Sequence, residues 1–273
     1  MTLVGSKDLL GNRTEWNMDD AMQCMEQSGA ETFIAQADAG YLYYYLGLFT
    51  ENPKLIDWEN RVSYLNGDDG CSLLEFSEQY AKKESQQGEA DLERVANGKS
   101  LTSIQYLLTP TMSAYVSDSL QGKEVYIGFP AEKGMSGHCL NGVVLEINHN
   151  CKEVEGALSF IKYLLSDEQQ MYLAEQMDMG AVGYGYPVIN RYTEQLFEKL
   201  REEAKNHEQA DINNEEPVLT SEQIDVLWNV INSACLYDDE TEAVWNILLE
   251  EIGVYQGNTK TTKQIMDVVN NRV

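Results

Sequence analysis

The sequence of 273 residues is 43% hydrophobic, which is enough to fill a sizeable core in one large domain or in two lobes. Its 19 lysines and arginines are outnumbered by 45 aspartates and glutamates, so the formal net charge is −26. Because this charge repels nucleic acid and anionic membrane surfaces, we expect no polyanionic partner. The acids are spread along the chain without calcium-loop spacing, and they indicate solubility rather than a cation site.

The first predicted element is a helix within residues 14–30. Asn17 has the residue type of an N-cap, Asp20 follows three positions later, and Gly29 can end the helix. The next apolar stretch, "ETFIAQADAGYLYYYLGLF", carries four tyrosines within five positions.

Residues 55–83 predict a short strand or hairpin, then a turn at the sequence "GDDG", and then a helix. The inward face of this helix is formed by Leu73, Leu74 and Phe76. The polar segment "ESQQGEADLERVANG" predicts a loop with a short helix.

The middle of the chain predicts strands and a helix pair. The segments "KSLTSIQYLL" and "KEVYIGFP" have strand patterns, and Pro130 ends the second one. A loop rich in glycine follows, and then "GVVLEINHN" predicts a third strand. Apolar positions at helical spacing and a capping-box pattern at Ser166 and Gln169 predict two adjoining helices over residues 157–176.

The C-terminal part is predominantly helical by pattern. A turn region around Pro187 precedes a charged helix, "YTEQLFEKLREEAKN", and the composition of residues 207–219 predicts a surface linker. Thr220 and Gln223 form another capping-box pattern before an apolar helix, "TEAVWNILLEEIGVYQ" predicts the next helix, and the last helix begins near Thr261.

The cysteines show no C-x-x-C pair and no histidine at metal spacing, so we expect thiols and neither a metal nor a cofactor. They are Cys24, Cys71, Cys139, Cys151 and Cys235. No apolar run approaches the roughly 20 residues that span a bilayer, and "MTLVGSKDLLGNRTEW" lacks the pattern of a secretory signal.

No catalytic pattern is present, and we expect no enzymatic activity. The three histidines have no partners at catalytic spacing, and the nucleophile-elbow and phosphate-loop motifs are missing. Two alternatives stay open. A carbohydrate-active enzyme would need two carboxylates about 5 to 10 Å apart across a cleft, and a helical or glycan-binding interaction module would lack a mixed sheet.

The 16 tyrosines and 4 tryptophans suggest carbohydrate binding, because an aromatic ring offers a flat apolar face to the C–H face of a sugar. Core packing is the other interpretation. We favour packing for Tyr43 to Tyr45 and for Trp245, and both interpretations stay open for Trp228.

The order of motifs resembles the extracellular solute-binding proteins, family 1, of ABC importers for sugars. The resemblance is carried by "DWENRVSYLNGDDGCSLLEFSEQYAKK", "VYIGFPAEKG", "LEINHNCKEVEGALSFIKYLLSDEQQMYL", "GYPVINRYTEQL" and "VLTSEQIDVLWNVINSA". It implies an α/β fold of the periplasmic-binding-protein type II. The second lobe would comprise residues 1–125 and 196–273, and residues 126–195 would form the hinge crossing and a fragment of the first lobe.

The resemblance also implies the function and its residues. We expect a sugar or short oligosaccharide to be captured for an ABC permease, with Trp228 stacking on the sugar and with polar contacts from Gln36 and Asp38. Tyr106 is a further candidate. The full-length protein would be an extracellular lipoprotein. Most of the first lobe, the signal and the anchoring cysteine are expected to be missing from this chain.

A missing first lobe has two expected consequences. A single wall leaves one face of the sugar in water, so we expect weak binding. The strand at residues 142–150 and the apolar faces that include Phe160 and Leu164 would lack their packing partners, so we expect self-association as a homodimer.

Overall fold

A computed structural model describes residues 1–83, 89–140, 145–176, 185–210, 217–236, 240–255 and 260–273. The chain divides into two compact units. Unit 1 comprises Met1–Gln105, Ser119–Leu140 and Ser233–Val273, and unit 2 comprises Tyr106–Asp118 and Asn141–Asn232. The sequence-based division instead groups residues 196–273 with residues 1–125, and the assignment of residues to lobes stays a prediction.

Unit 1 contains a mixed four-stranded sheet within its described residues, with strand order β2-β5-β1-β6. The strands are β1 Thr2–Ser6, β2 Thr32–Ile34, β5 Ser100–Gln105 and β6 Glu124–Tyr126, and a separate hairpin is formed by β3 Ile56–Asp57 and β4 Val62–Ser63. Strand β1 pairs antiparallel with both neighbours, so that Val4 lies opposite Ser103 on one side and Tyr126 on the other. Strand β2 pairs parallel to β5. The predicted strands near residues 99–108 and 123–130 and the predicted hairpin are confirmed.

The helices of unit 1 cover this sheet. They are α1 Lys7–Leu10, α2 Met18–Ser28, α3 Ala39–Tyr43, a π-helical turn Tyr44–Leu48, α4 Asp68–Tyr80, α5 Asp91–Ala96, α11 Glu240–Tyr255 and α12 Thr262–Arg272. Helix α2 confirms the first prediction, because the Asn17 side chain accepts from the backbone of Asp20 and Gly29 caps the other end in the left-handed conformation. Helix α12 begins after Thr261, as predicted.

The predicted "GDDG" turn is wrong, because these residues begin α4. Gly67 is the N-cap, and Asp68 and Asp69 occupy the first turn, where carboxylates interact favourably with the helix dipole. Aspartate and glycine favour turns and helix starts alike, so their presence does not separate the two. At Gly70 a side chain would place its Cβ only 2.0 Å from the carbonyl oxygen of Leu65, so the approach of this backbone requires glycine. The predicted inward residues of α4 are buried.

The regular secondary structure in the described part of unit 2 consists of helices. Its helices are α6 Pro110–Ser119, which ends one residue inside unit 1, α7 Val154–Leu164, α8 Asp167–Gln176, α9 Asn190–Ala210 and α10 Ser221–Ser233. The two adjoining helices predicted for residues 157–176 are confirmed as α7 and α8. The capping box before α10 is also confirmed, because Thr220 and Gln223 exchange hydrogen bonds of 2.8 and 3.3 Å.

Two predictions in unit 2 need correction. Helix α9 continues to Ala210, so residues 207–210 belong to a helix and not to the predicted linker, whose residues 211–216 lie outside the described part. A predicted strand covers residues 142–150. Residues 142–144 also lie outside the described part, and residues 145–150 have no strand conformation. A strand forms only where a neighbour completes its hydrogen bonds, and the local pattern does not supply one.

Helix α7 presents an unusual surface. None of its residues, all of which the structure describes, is buried, and Phe160 is 58% exposed. Large apolar side chains more than 40% exposed continue from α7 into α8. They are Val154, Phe160, Tyr163, Leu165, Met171 and Tyr172. Within the described part of the chain, no helix is long and apolar enough to cross a membrane.

Candidate functional site

The segment between β2 and α3 carries two of the predicted ligand-binding residues. The side-chain amide of Gln36 donates to Ser103 Oγ at 2.8 Å and to the carbonyl of Ile104 at 3.1 Å, and its Oε1 accepts from the Ile104 backbone at 3.1 Å. The side chain thereby extends the pairing of β2 and β5 beyond the end of β2. Gln36 is consequently held in one position at the edge of the sheet.

Asp38 lies two residues further on and is exposed. It is the N-cap of α3, and its Oδ1 accepts from the backbone N–H of Tyr41 at 2.9 Å. This cap fixes the direction of the carboxylate while leaving the side chain accessible to solvent. Gln36 and Asp38 lie two residues apart in the sequence, and defined hydrogen bonds fix both side chains.

Sequence analysis did not select Tyr41, whose backbone N–H bonds this carboxylate. The side chain is 44% exposed, whereas Tyr43 is completely buried. The ring of Tyr41 lies 4.8 Å from that of Trp245 and stacks at 6.2 Å on that of Tyr45, measured between centroids. The helical position of Tyr41 is the signal that could have identified it. The buried face of α3 is formed by Ala39, Gly40, Leu42 and Tyr43, and Tyr41 lies outside this face.

Gly40 allows α11 to approach α3. A Cβ at this position would lie 2.9 Å from Leu249 Cδ2 and 3.8 Å from the Trp245 ring. Trp245 itself is only 9% exposed and is wedged between the rings of Tyr41 and Tyr44. Trp245 therefore packs against the exposed ring of Tyr41. We call the surface formed by Gln36, Asp38, Tyr41 and Trp245 the α3 platform.

A second feature of unit 1 is a cavity of about 850 Å³ at the loop after β6. It is lined by residues 14–17, Asp20, Ile127, Phe129, residues 131–138, Ser233 and Cys235. This loop is firmly anchored: the Trp16 indole donates to the Gly128 carbonyl at 2.9 Å, and the Phe129 backbone donates to Gly137 at 2.7 Å. Gly137 approaches so closely that a Cβ would lie 2.1 Å from the Phe129 carbonyl oxygen.

His138 forms one edge of this cavity. Its Nδ1 lies 2.8 Å from Thr2 Oγ1. Burial lowers the pKa of His138 to about 4, and the positive amino group of Met1 adds to the shift. The imidazole is therefore neutral at pH 7 and serves as a hydrogen-bonding group between the loop and β1.

The other two predicted residues lie in unit 2. Trp228 is half-buried on α10, with its ring 4.9 Å from that of Phe197 on α9. The Arg201 guanidinium lies 6.0 Å from the Trp228 centroid and also binds Asp225 at 2.7 Å. Tyr106, the residue after β5, is 46% exposed. Packing accounts for part of the Trp228 surface, and the ligand-binding roles of Trp228 and Tyr106 stay predictions.

Among the residues that the structure describes, no three histidine, cysteine or carboxylate side chains are grouped closely enough to hold a metal ion. Two features of unit 1 are therefore candidates for ligand binding: the α3 platform, with an exposed aromatic ring, a carboxylate and a fixed amide, and the loop cavity.

No protein-family model and no curated protein matches this sequence. Solved structures do match it over 99% of the chain. Maltose-bound MalE3 of T. maritima has a TM-score of 0.51 at 17% identity, with 69% of that chain covered. The GacH receptor of Streptomyces glaucescens, solved unliganded and with acarbose, has a TM-score of 0.53 at 14% identity, with 67% covered.

A third match is a zinc complex of a protein from Synechococcus sp. MITs9220 that is described as an oligosaccharide periplasmic-binding protein. Its TM-score is 0.55 at 11% identity, and 69% of that chain is covered. At such low identities the likeness shows the fold alone. The predicted α/β fold of the periplasmic-binding-protein type is thereby confirmed.

The shifted pKa of His138 predicts a pH dependence of stability. The unfolded chain takes up a proton near pH 6.5, whereas the folded chain does so only near pH 4, so stability is lost as the pH falls between these values. The loss should reach about 2 to 3 kcal/mol. Urea unfolding at pH 7 and pH 4.5 measures it.

The His138→Asn variant is the control, because an amide can still bond Thr2 but does not titrate in this range. The variant should lose less stability than the wild type over the same pH interval. An identical loss in both proteins would contradict the prediction, since carboxylates common to both would then account for all of it.

Proposed function

We propose that this chain binds a sugar or short oligosaccharide without chemical turnover, as the substrate-binding component of an ABC importer. The observation that carries the proposal is the exposed ring of Tyr41, on the residue whose backbone N–H bonds the capping carboxylate of Asp38. Its support from the comparisons is the shared fold and the named ligands of two neighbours, which are maltose and acarbose.

The α3 platform has the chemistry that a sugar requires. The C–H face of a pyranose packs on an aromatic ring, and its hydroxyls donate to carboxylate or amide oxygens. Hydrogen bonds to a charged acceptor are stronger than those between neutral groups. Since Asp38 is fixed by its cap and Tyr41 by Trp245, little side-chain freedom would be lost when the ligand binds.

Trp228 and Tyr106 are proposed separately, as ligand-binding residues of unit 2. The resemblance to maltodextrin-type binders suggests a stacking role for Trp228, and its half-buried ring leaves a surface for such a contact. The permease partner, the extracellular location and the lipid anchor of the full-length protein are likewise proposed from the resemblance.

Replacing Tyr41 by alanine should weaken sugar binding by about tenfold, because one stacking contact contributes about 0.5 to 1.5 kcal/mol beyond area burial. Calorimetry at millimolar concentrations against maltose, maltotriose and acarbose measures the change. Tyr64→Ala is the matched control, since Tyr64 is 46% exposed in the same unit but lies after β4, outside the platform.

Asp38 provides a second arm of this experiment. Asparagine is as good an N-cap as aspartate, so Asp38→Asn should keep the helix and weaken binding, whereas Asp38→Ala should also lose about 1 kcal/mol of stability. Equal affinities of wild type, Tyr41→Ala and Asp38→Asn would refute the platform. Release of shorter sugars during the titration would instead indicate an enzyme.

Trp228→Ala should lower the sugar affinity while the protein remains folded at the assay temperature. Trp228→Phe keeps a ring against Phe197 and should retain most of the binding and of the stability. Parallel calorimetry and thermal unfolding distinguish the two roles. A large loss of stability with unaltered affinity in the folded fraction would assign Trp228 to packing alone.

We also propose that two copies of the chain associate through the exposed face of α7 and α8. Apolar side chains on this face lose contact with water when they pair, and the charge of −26 opposes the pairing.

Light scattering should therefore show a dimer that is strengthened by salt, which screens this repulsion. Phe160→Lys should abolish the dimer, whereas Ser159→Lys, on a neighbouring exposed position, should leave it intact. A monomer at all salt concentrations would overturn the proposal.

A further inference from the structure

Two cysteines that are far apart in the sequence meet in the backbone of unit 1. Cys139 and Cys235 form an isolated parallel β-bridge. The Cys235 N–H donates to the His138 carbonyl at 3.0 Å, and the Leu140 N–H donates to the Cys235 carbonyl at 2.8 Å. These two bonds place Cys139 and Cys235 directly opposite each other.

The bridge brings the two residues within the range of a disulfide. Paired strands lie about 4.8 Å apart, and disulfide-bonded residues have Cα atoms about 4.4 to 6.8 Å apart. Directly opposed residues in a parallel bridge direct their side chains to the same face. Because the bridge is isolated, the small adjustment that a disulfide needs is not resisted by a continuous ladder.

The sulfur positions agree with this geometry. Cys235 Sγ lies 3.8 Å from the His138 carbonyl, which belongs to the segment of Cys139. Cys139 Sγ lies 3.3 Å from the Leu140 carbonyl. The N–H and C=O of an extended residue point to the same side, and the Leu140 N–H points to Cys235, so this carbonyl also faces the segment of Cys235. Both sulfurs therefore lean toward the space between the segments.

The position of Cys139 and Cys235 in the chain determines which residues a bond between them would enclose. Unit 1 ends its middle segment at Leu140 and resumes at Ser233, so Cys139 and Cys235 flank the points where the chain leaves and re-enters the unit. A bond between them would close a covalent ring around residues 140–234, which include most of unit 2.

We propose that Cys139 and Cys235 are a redox-active pair that forms a disulfide under oxidising conditions. The oxidant is a low-molecular-weight or protein disulfide. The thiolate of Cys235, the more exposed of the two, attacks one sulfur of the oxidant and releases a thiol. Cys139 then displaces the second thiol from the mixed disulfide. Two protein thiols are oxidised, one external disulfide is reduced to two thiols, and the two protons of the protein thiols end on these released thiols.

The remaining cysteines do not share this arrangement. Cys24 is buried, and burial raises its pKa. Burial also raises the pKa of Cys71 on α4. Cys151 belongs to unit 2 and follows Cys139 closely in the sequence, which makes it the best control.

The experiment uses the full chain, reduced and then incubated with oxidised glutathione at pH 8. Free thiols are alkylated, and the protein is digested with an endoprotease that cleaves after glutamate. Such cleavage after Glu146 separates Cys139 from Cys151, which trypsin leaves in one peptide. We expect a peptide pair joined through Cys139 and Cys235, lighter by two hydrogens than the sum of its parts, and a fall from five free thiols to three.

Oxidation should also raise the Tm by several degrees, because the bond closes a loop of roughly 100 residues. The rise should occur in the wild type and in Cys151→Ser and should be reversed by dithiothreitol. It should be absent from Cys235→Ser and Cys139→Ser when the oxidised and reduced states of each variant are compared. Glutathione retained on Cys235 beside an alkylated Cys139, or a pairing of either residue with Cys151, would overturn the proposal.

Discussion

The pairing of β1 with two strands from distant parts of the chain is the constraint on which unit 1 depends. Residues 2–6 are all buried, and they hydrogen-bond to β5 on one side and to β6 on the other. Both candidate features of unit 1, the α3 platform and the loop cavity, lie where these two neighbouring strands end. The end of β5 binds Gln36 and so positions the α3 platform, and the end of β6 leads directly into the loop that encloses the cavity.

A buried arginine also contacts this sheet, in a chain that has only 19 lysines and arginines. Arg94 on α5 is only 2% exposed, and its Nε donates to Ser100 Oγ at 3.2 Å. Its guanidinium also lies 3.6 Å from Glu89 and 3.8 Å from Glu31. Removal of one of these partners would leave the charge of Arg94 buried without compensation. Arg94 therefore ties α5 to the paired strands β2 and β5, which precede the α3 platform.

Local signals in the sequence predicted much of the fold, and long-range contacts explain the rest. The caps at Asn17 and Thr220 act within one helical turn, so their residue types were sufficient. The start of α4 was predicted as a turn because aspartate and glycine favour turns and helix starts alike. The anchoring of the loop after β6 could not be predicted, because hydrogen bonds to backbone carbonyls hold this loop and leave little trace in composition.

The candidate site was predicted in part for a similar reason. Gln36 and Asp38 came from a family resemblance, and the structure supplies the hydrogen bonds that fix them. Tyr41 was concealed in a run of tyrosines, where aromatic residues at every side of the helix erase the contrast on which periodicity depends. The structure shows which ring is exposed and which is buried: Tyr41 is 44% exposed, whereas Tyr43 is completely buried.

The π-helical turn after α3 makes this part of the chain intolerant to changes in length. Its backbone bond from Phe49 to the Tyr44 carbonyl spans five residues at 2.8 Å, which is one residue more than an α-helix uses. Deletion of one residue here would restore the α-helical repeat and rotate α3 by about 100° relative to the chain after Phe49. The ring of Tyr41 would then lose its contact with the ring of Trp245. Related chains that keep the platform should therefore conserve the spacing between Asp38 and Phe49 even where the residues in between differ.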